Sequence, residues 1–250
     1  MNDDEKIVIK PLKTAPSLKE ILNENIPEFL PKLPLLCSLV ARTNSGKTVI
    51  ITSLIADYYI PLGIFKPENI FYISPSIHID PIFKKLPDGV KKFETYDESL
   101  LIELMDEMKE KRKMYNDLFI PPVLCVFDDC LAETNDNGRR AFDNNSIISK
   151  LFTRGRHLGI SVIVTTQKYN SLSRTIKVNS LYVIFLNSIE GEVETILEDH
   201  ASRHRKKDFL KMWESVFDGS DPYVSLMIDT TSKNPRKKYI VNFQRYVSYM

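Results

Sequence analysis

Two short stretches of this 250-residue chain carry residue types that could do chemistry together: a Gly-Lys-Thr at 46–48 and an Asp-Asp pair at 128–129. Residues 41–48 read Ala-Arg-Thr-Asn-Ser-Gly-Lys-Thr, one position away from the phosphate-cradling pattern G-x-x-x-x-G-K-[ST], with Ala41 where the first glycine belongs. In such a loop Asn44, Ser45, Gly46 and Lys47 turn backbone N–H groups toward phosphates at a helix N-terminus, and Thr43 and Val49 complete the contact set. The Lys47 ammonium then bridges the β- and γ-phosphates of ATP, and the Thr48 hydroxyl ligates Mg²⁺. Ala41 sits at the mouth of the loop, where a methyl is the least added bulk.

The acids follow the apolar run Val123–Phe127, which places them at the carboxyl end of a strand, where open α/β sheets bind ligands. Asp128 is suited to hold Mg²⁺ through water. Asp129 is suited to orient and deprotonate an attacking water. Gln167 ends "VIVTTQ", with Thr165 and Thr166 beside it, where a polar group senses the γ-phosphate. Each feature has a plainer reading: a Lys-Thr pair opening a helix, a strand entering a polar turn, a glutamine opening a surface loop. Both motifs standing at strand ends together favour a nucleoside triphosphatase.

"LFTRGRHLGIS" (151–161) leads from a helix into a strand, and the sequence reading sets it near the edge of the nucleotide site. Arg156, with Arg154 as substitute, is a candidate arginine finger for a neighbouring subunit. A helix-end arginine facing the last carbonyls is the alternative. His157 reads as structural.

These residues need elements to position them. Residues 1–32, with prolines at 11, 16, 27 and 31, read as an irregular surface arm with one short helix near 17–24. Strands are expected at 33–40, 69–75, 121–130, 159–167 and 180–187. Helices are expected from Gly46 to Tyr59 (apolar set Val49, Ile50, Leu54), and after a Thr95/Glu98 capping box, with Leu101, Leu104, Met105, Met108 and Tyr115 on one face. A polar loop at 132–138 precedes a helix around 139–152, and two more helices fall near 190–199 and 203–217. The candidate strands "YVSLMI" and "KYIVNF" flank the basic turn "SKNPRKK" as a C-terminal β-hairpin. Apolar strands alternating with helices define an α/β fold, a mainly parallel central sheet flanked by helices. One ATPase domain over 33–250 is expected, its core at 33–200 and its C-terminal helices and hairpin at 201–250. One strand in sequence between the phosphate loop and the Asp-Asp strand suits the additional-strand (ASCE, RecA-like) class of P-loop NTPase.

Bulk properties narrow the functions. Lys+Arg (34) and Asp+Glu (33) nearly cancel, so nucleic-acid contact has to come from local patches. Hydrophobic residues make up 43%, ordinary for a globular chain. Cys37, Cys125 and Cys130 show no C-x-x-C spacing, and the first and second lie in apolar runs, which suggests buried thiols in a reducing compartment. With no membrane span and an acidic N-terminus unlike a signal peptide, a soluble intracellular protein is expected. Two basic stretches, Arg203, Arg205, Lys206 and Lys207, and Arg236, Lys237 and Lys238, are candidate DNA contacts, or simply solvated faces. No second acidic constellation after residue 190 indicates a nuclease.

The set "ARTNSGKT", "VLCVFDDC" and "FTRGRHLGISVIVTTQ" resembles the FtsK/HerA-type packaging ATPases of large DNA viruses, the poxvirus-like kind also found in virophages. The resemblance covers about residues 33–200. It implies a homo-oligomeric ring (pentamer or hexamer) that moves double-stranded DNA into a preformed capsid. It further implies ATP and Mg²⁺ as cofactors, a capsid or portal-vertex protein as docking partner, and a finger acting between subunits. The expected location is the host cell interior at the site of virus assembly, a cytoplasmic virus factory, with the virion as a second place. Asp129 stands where much of the wider superfamily has Glu; the poxvirus-like branch shares the Asp-Asp form. The rival functions are a helicase or remodelling ATPase, and a nucleotide-gated scaffold with little turnover.

Overall fold

In a computed structural model the described residues are 17–115, 120–130, 142–186, 191–201 and 205–249. Their strands form one nine-stranded sheet in the order β3-β2-β4-β5-β1-β6-β7-β8-β9. The strands are β1 (Leu36–Ala41), β2 (Ile70–Ile73), β3 (Lys91–Phe93), β4 (Val123–Phe127), β5 (Ile160–Thr166), β6 (Tyr182–Leu186), β7 (Ser225–Asp229), β8 (Tyr239–Val241) and β9 (Arg245–Val247). From β3 to β6 every pairing is parallel; β7, β8 and β9 add antiparallel strands at one side. The fold class expected from the sequence is the one observed.

Strand burial explains why the central runs are continuously apolar. β1, β2, β4, β5 and β6 are buried along their whole length, so both faces of each strand need hydrophobic cover. Period-two alternation splits β4 between two cores: Val123, Cys125 and Phe127 enter one, Leu124 and Val126 the other. The first core is covered by α3 (Glu98–Met114), α6 (Arg174–Asn179), α7 (Val193–His200) and α8 (Lys206–Val216). The second is covered by α2 (Lys47–Ser53), its continuation as a π-helix over Leu54–Tyr59, and Ile26, Leu30 and Leu33 of the N-terminal segment.

Several expectations need correction. The helix after the phosphate loop turns Ile51, Leu54 and Ile55 inward at i, i+3, i+4 spacing and leaves Val49 half exposed, because a residue two positions before Ile51 lies on the opposite face of the helix. Asp97, not Thr95, caps α3, accepting from the N–H groups of Ser99 and Leu100, and Tyr115 ends outside the buried stripe. The helix expected around 139–152 begins at Ile147, behind the Ser146 cap, as α4 (Ile147–Lys150). It runs on as a π-helix to Gly155 and as α5 (Arg156–Leu158). Two strands in sequence, β2 and β3, separate β1 from β4, and the strand lying between them in space is β5. The C-terminal hairpin is extended by a third strand, β9.

The unexpected elements, β3, α6 and β9, are short. β3 is "KKF" and β9 is "RYV", and each closes one edge of the sheet, where cationic side chains discourage further pairing and carry no apolar period. α1 (Leu18–Asn25) matches the expected short helix, closed by a capping box between Ser17 and Glu20. The polar loop at 132–138 lies outside the described residues.

Candidate nucleotide site

Because β1, β4 and β5 run parallel and in register, their carboxyl ends open on one edge of the sheet. The loop after β1, the acids after β4 and the glutamine after β5 therefore share that edge. Gly46 takes a left-handed φ of 88° directly before α2, and Asn44 is also left-handed at 61°. These reversals bring the chain into the helix with no side-chain cap, which leaves the first-turn N–H groups to an anion. Ala41 is the last residue of β1, fully buried and not left-handed, so alanine fits there without backbone strain.

Around Asp128 the hydrogen bonds are dense. Its Oδ2 accepts from the Thr48 hydroxyl at 2.8 Å and from the Tyr72 hydroxyl at 3.0 Å, and its Oδ1 accepts from Thr165 at 2.8 Å. Asp128 is 2% exposed. Burial raises its carboxyl above the usual range; the three hydroxyls work against that rise and the Asp129 charge adds to it. Tyr72, wholly buried on β2, has its phenol pushed well above its ordinary value by the same burial and by the Asp128 charge. Asp129 is left-handed at φ 60°, an uncommon state for a non-glycine residue. Its N–H donates to Thr165 Oγ1 at 2.9 Å, which pins the turn. Gln167 Nε2 reaches Asp129 Oδ1 at 3.4 Å.

Lys47 lies across the loop, donating from Nζ to the carbonyls of Ala41 and Arg42, both at 3.0 Å. Burial lowers its ammonium from the ordinary lysine value, while the carboxylates of Asp129 and Asp128 pull the other way. The Thr48 hydroxyl and the Asp128 carboxylate are already within hydrogen-bond distance, so one hard divalent cation could take oxygen donors from both. The residues present thus fit Mg²⁺. Ser45 is held by a bond from its hydroxyl to the Arg42 carbonyl at 2.8 Å.

Sequence reasoning passed over Thr165 and Tyr72 as contributors. In the sequence Thr165 stands out only as a neighbour of Gln167, yet in the fold it ties the strand ends of β4 and β5 together. Tyr72 had one readable signal: a phenol inside an otherwise apolar strand needs a partner for its hydroxyl.

Arg154 and Arg156 do not stand near this edge. α5 precedes β5, so both exposed arginines lie toward the amino ends of the parallel strands, across the sheet from Lys47. Placing them beside their own chain's site misjudged which end of the strand the motif precedes. Arg156 Nε donates to His157 Nε2 at 3.1 Å. Both residues, with Lys19 and Arg112, line a cavity of about 260 Å³. Gly159 caps α5 at φ 73°, a left-handed turn that favours glycine, with the end of the Arg112 side chain lying against it.

Of the basic stretches, Arg203 lies outside the described residues. Arg205, Lys206 and Lys207 are exposed at the start of α8, and Lys206 stands 3.9 Å from Glu198. Lys237 pairs with Glu28 at 2.7 Å, Lys238 donates to the His200 carbonyl at 3.3 Å, and Arg236 is exposed beside them. Lys238 also lines a cleft of about 620 Å³ with Arg174, Lys177 and the Tyr169–Asp199–His200 cluster. Among the described residues no group of three or more His, Cys, Asp or Glu is arranged to hold a metal ion, and no helix is long and apolar enough to cross a membrane.

A parallel sheet with a phosphate loop after one strand and paired acids after another, one strand intervening, defines a P-loop ATPase of the additional-strand class. Residues 27–242 match the model of the Poxvirus A32 protein family, and the chain belongs to that family, which makes it a viral genome-packaging ATPase of the FtsK/HerA type. Solved structures of similar fold include the genome packaging NTPase B204 of Sulfolobus turreted icosahedral virus 2 in complex with AMP. That match has 16% identity and a TM-score of 0.54, covering 82% of this chain and 95% of that one. The DNA-packaging ATPase B204 of Sulfolobus turreted icosahedral virus matches at 16% identity with a TM-score of 0.52 and the same coverage. The pCW3 conjugation coupling protein TcpA matches at 14% identity and a TM-score of 0.52, covering 84% of this chain and 60% of that one. No curated protein matches the chain.

Proposed function

We propose that the chain is a Mg²⁺-dependent motor that couples ATP hydrolysis to the movement of double-stranded DNA into a capsid. The observation that carries the reading is the convergence of Lys47, Thr48, Asp128, Asp129 and Gln167 on one edge of the sheet, joined through Thr165. The loop amides from Thr43 to Val49 bind the phosphates, and Lys47 leaves its two loop carbonyls to neutralise the β- and γ-phosphates. Thr48 and Asp128 would hold Mg²⁺, which when bound would supply charge neutralisation on the phosphate oxygens. Asp129 takes a proton from water as the water oxygen bonds to the γ-phosphorus and the bond from that phosphorus to the β–γ bridging oxygen breaks, leaving ADP and phosphate. Gln167, beside the Asp129 carboxylate, orients that water and senses the γ-phosphate.

Arg156, with Arg154 as alternate, serves a neighbouring subunit's site. Its position across the sheet from its own Lys47 supports action between chains, in a pentameric or hexameric ring. The basic groups of α8 and of the turn before β8 meet near the end of α7, where Lys238 reaches the His200 carbonyl, and this corner is the proposed contact for duplex backbone phosphates. The ring works at a capsid or portal-vertex protein inside the host cell, at the site of virus assembly. The genome packaging NTPase B204, of similar fold, is known in complex with AMP, which supports nucleotide binding by this chain.

The test is ATP hydrolysis measured with blunt duplex and with single strands. Stimulation by duplex is expected. Stimulation by single strands alone would replace the packaging motor with a strand-separating enzyme, and absence of hydrolysis under either condition would leave a scaffold.

A further inference from the structure

A nucleotide bound to this loop has to project its base to one side. The acids and Gln167 come from β4 and β5, on one flank of β1, whereas β6 and β7 lie on the other. With the γ-phosphate at Asp129 and Gln167, the α-phosphate and nucleoside leave on the β6–β7 flank. Tyr223 stands there. Ser225 pairs with Leu186, and Leu186 with Ala41, so Tyr223 lies two residues beyond the level of the loop's first position, on the same edge. A Cβ built on Gly46 would lie 3.9 Å from Tyr223 Cδ1, which makes ring and loop neighbours. The Tyr223 backbone is fixed by its N–H bond to Asp221 Oδ1 at 2.8 Å. Yet the residue is 69% exposed, while Tyr59, Tyr72, Tyr169 and Tyr239 are buried.

An aromatic ring standing beside a phosphate loop, with a face left to solvent, suits a planar apolar group arriving with the ligand. We propose that Tyr223 is the base platform of the nucleotide site, stacking on a purine whose triphosphate lies in the 41–48 loop. The proposal rests on the nucleotide reading above and deepens it. Stacking uses a π-face that every base has, so adenine and guanine are held comparably.

Affinities of the full chain, its Tyr223→Ala variant and its Tyr223→Phe variant for ATP, GTP and inorganic tripolyphosphate test it. Tyr223→Ala is expected to weaken ATP and GTP about tenfold and leave tripolyphosphate unchanged, with Tyr223→Phe close to the parent. ATP bound as tightly by Tyr223→Ala as by the parent would overturn the platform, as would equal losses for ATP and tripolyphosphate, which would mark a damaged loop. Lost ring assembly with unchanged ATP affinity would assign the tyrosine to a subunit contact instead. A parent chain that binds neither ATP nor tripolyphosphate would bring down the nucleotide reading itself, and the platform with it.

Discussion

At the carboxyl edge of the parallel strands Asp128 and Lys47 are buried and tied to fixed partners; at the amino edge Arg154 and Arg156 are exposed, and Arg156 bonds to its neighbour His157. Asp128 accepts from three hydroxyls on three different elements, and Asp129 is pinned by its backbone. Arg156 touches only its neighbour His157 among the hydrogen bonds described for it, and Arg154 faces solvent. The contrast separates two kinds of function. A group that must meet phosphate and water at a set distance is locked by hydrogen bonds before ligand arrives. Under the proposed function, an arginine that serves a neighbouring chain's site stays free to reorient.

The largest effect should come from the loosely held edge. Arg156→Ala is expected to reduce ATP hydrolysis about 10³-fold or more. Mixing it with a Lys47→Ala variant, itself inactive, should recover activity in mixed rings. Failure at every ratio, with mixed assembly shown, would confine each site to one chain and dissolve the comparison. At the opposite edge Asp129→Asn should slow hydrolysis by about 10²–10⁴-fold with ATP affinity nearly unchanged. An undiminished rate would remove Asp129 as the base.

Acid should separate two buried groups, His200 and Asp128, by sign. His200, buried beneath the Tyr169 hydroxyl at 3.0 Å, is held down to about 4 by desolvation, with Lys238 and Lys177 adding to that and Asp199 opposing it. Its depressed value means stability that is present above the ordinary histidine range and lost as pH falls from about 6.5 toward 4. The loss is on the order of 3 kcal/mol. A His200→Gln variant should lack this part of the pH dependence in thermal unfolding. Asp128 runs the other way. Because its folded-state value is raised, the buried carboxylate weighs against folding at neutral pH and is relieved as pH falls toward and through that raised value. The melting temperature of the parent should therefore gain on that of Asp128→Asn as pH is lowered from 7 toward 4. The smallest effect is expected from Thr165→Val, which removes one bond to Asp128 and leaves the Asp129 N–H unpaired. That change should lower stability by about 1–3 kcal/mol in denaturant titration and slow hydrolysis by misplacing Asp129.

Much of the site was legible because phosphate loops and strand-end acids are local patterns. Gly46 needs its left-handed φ within a few residues of Lys47, and Asp128 follows its strand directly, so spacing in the chain is spacing in space. Tyr72 and Thr165 were not legible as partners because each reaches Asp128 from another strand, and only the β2-β4-β5 pairing makes them neighbours. The arginines were misplaced for a related reason. A strand has two ends, and the sequence marks the motif's distance from β5 without saying that the phosphates gather at the other end.

The chain's order of residues determined the apolar strands, the phosphate loop, the paired acids and membership of an α/β class, since these depend on period and short-range spacing. Tertiary structure alone decided that β5 lies between the two motif strands, that a tyrosine before β7 stands beside Gly46, and that the arginines face away. Those facts come from hydrogen-bond pairing between segments far apart in the chain, and no local preference of residue for conformation encodes which segment lies beside which.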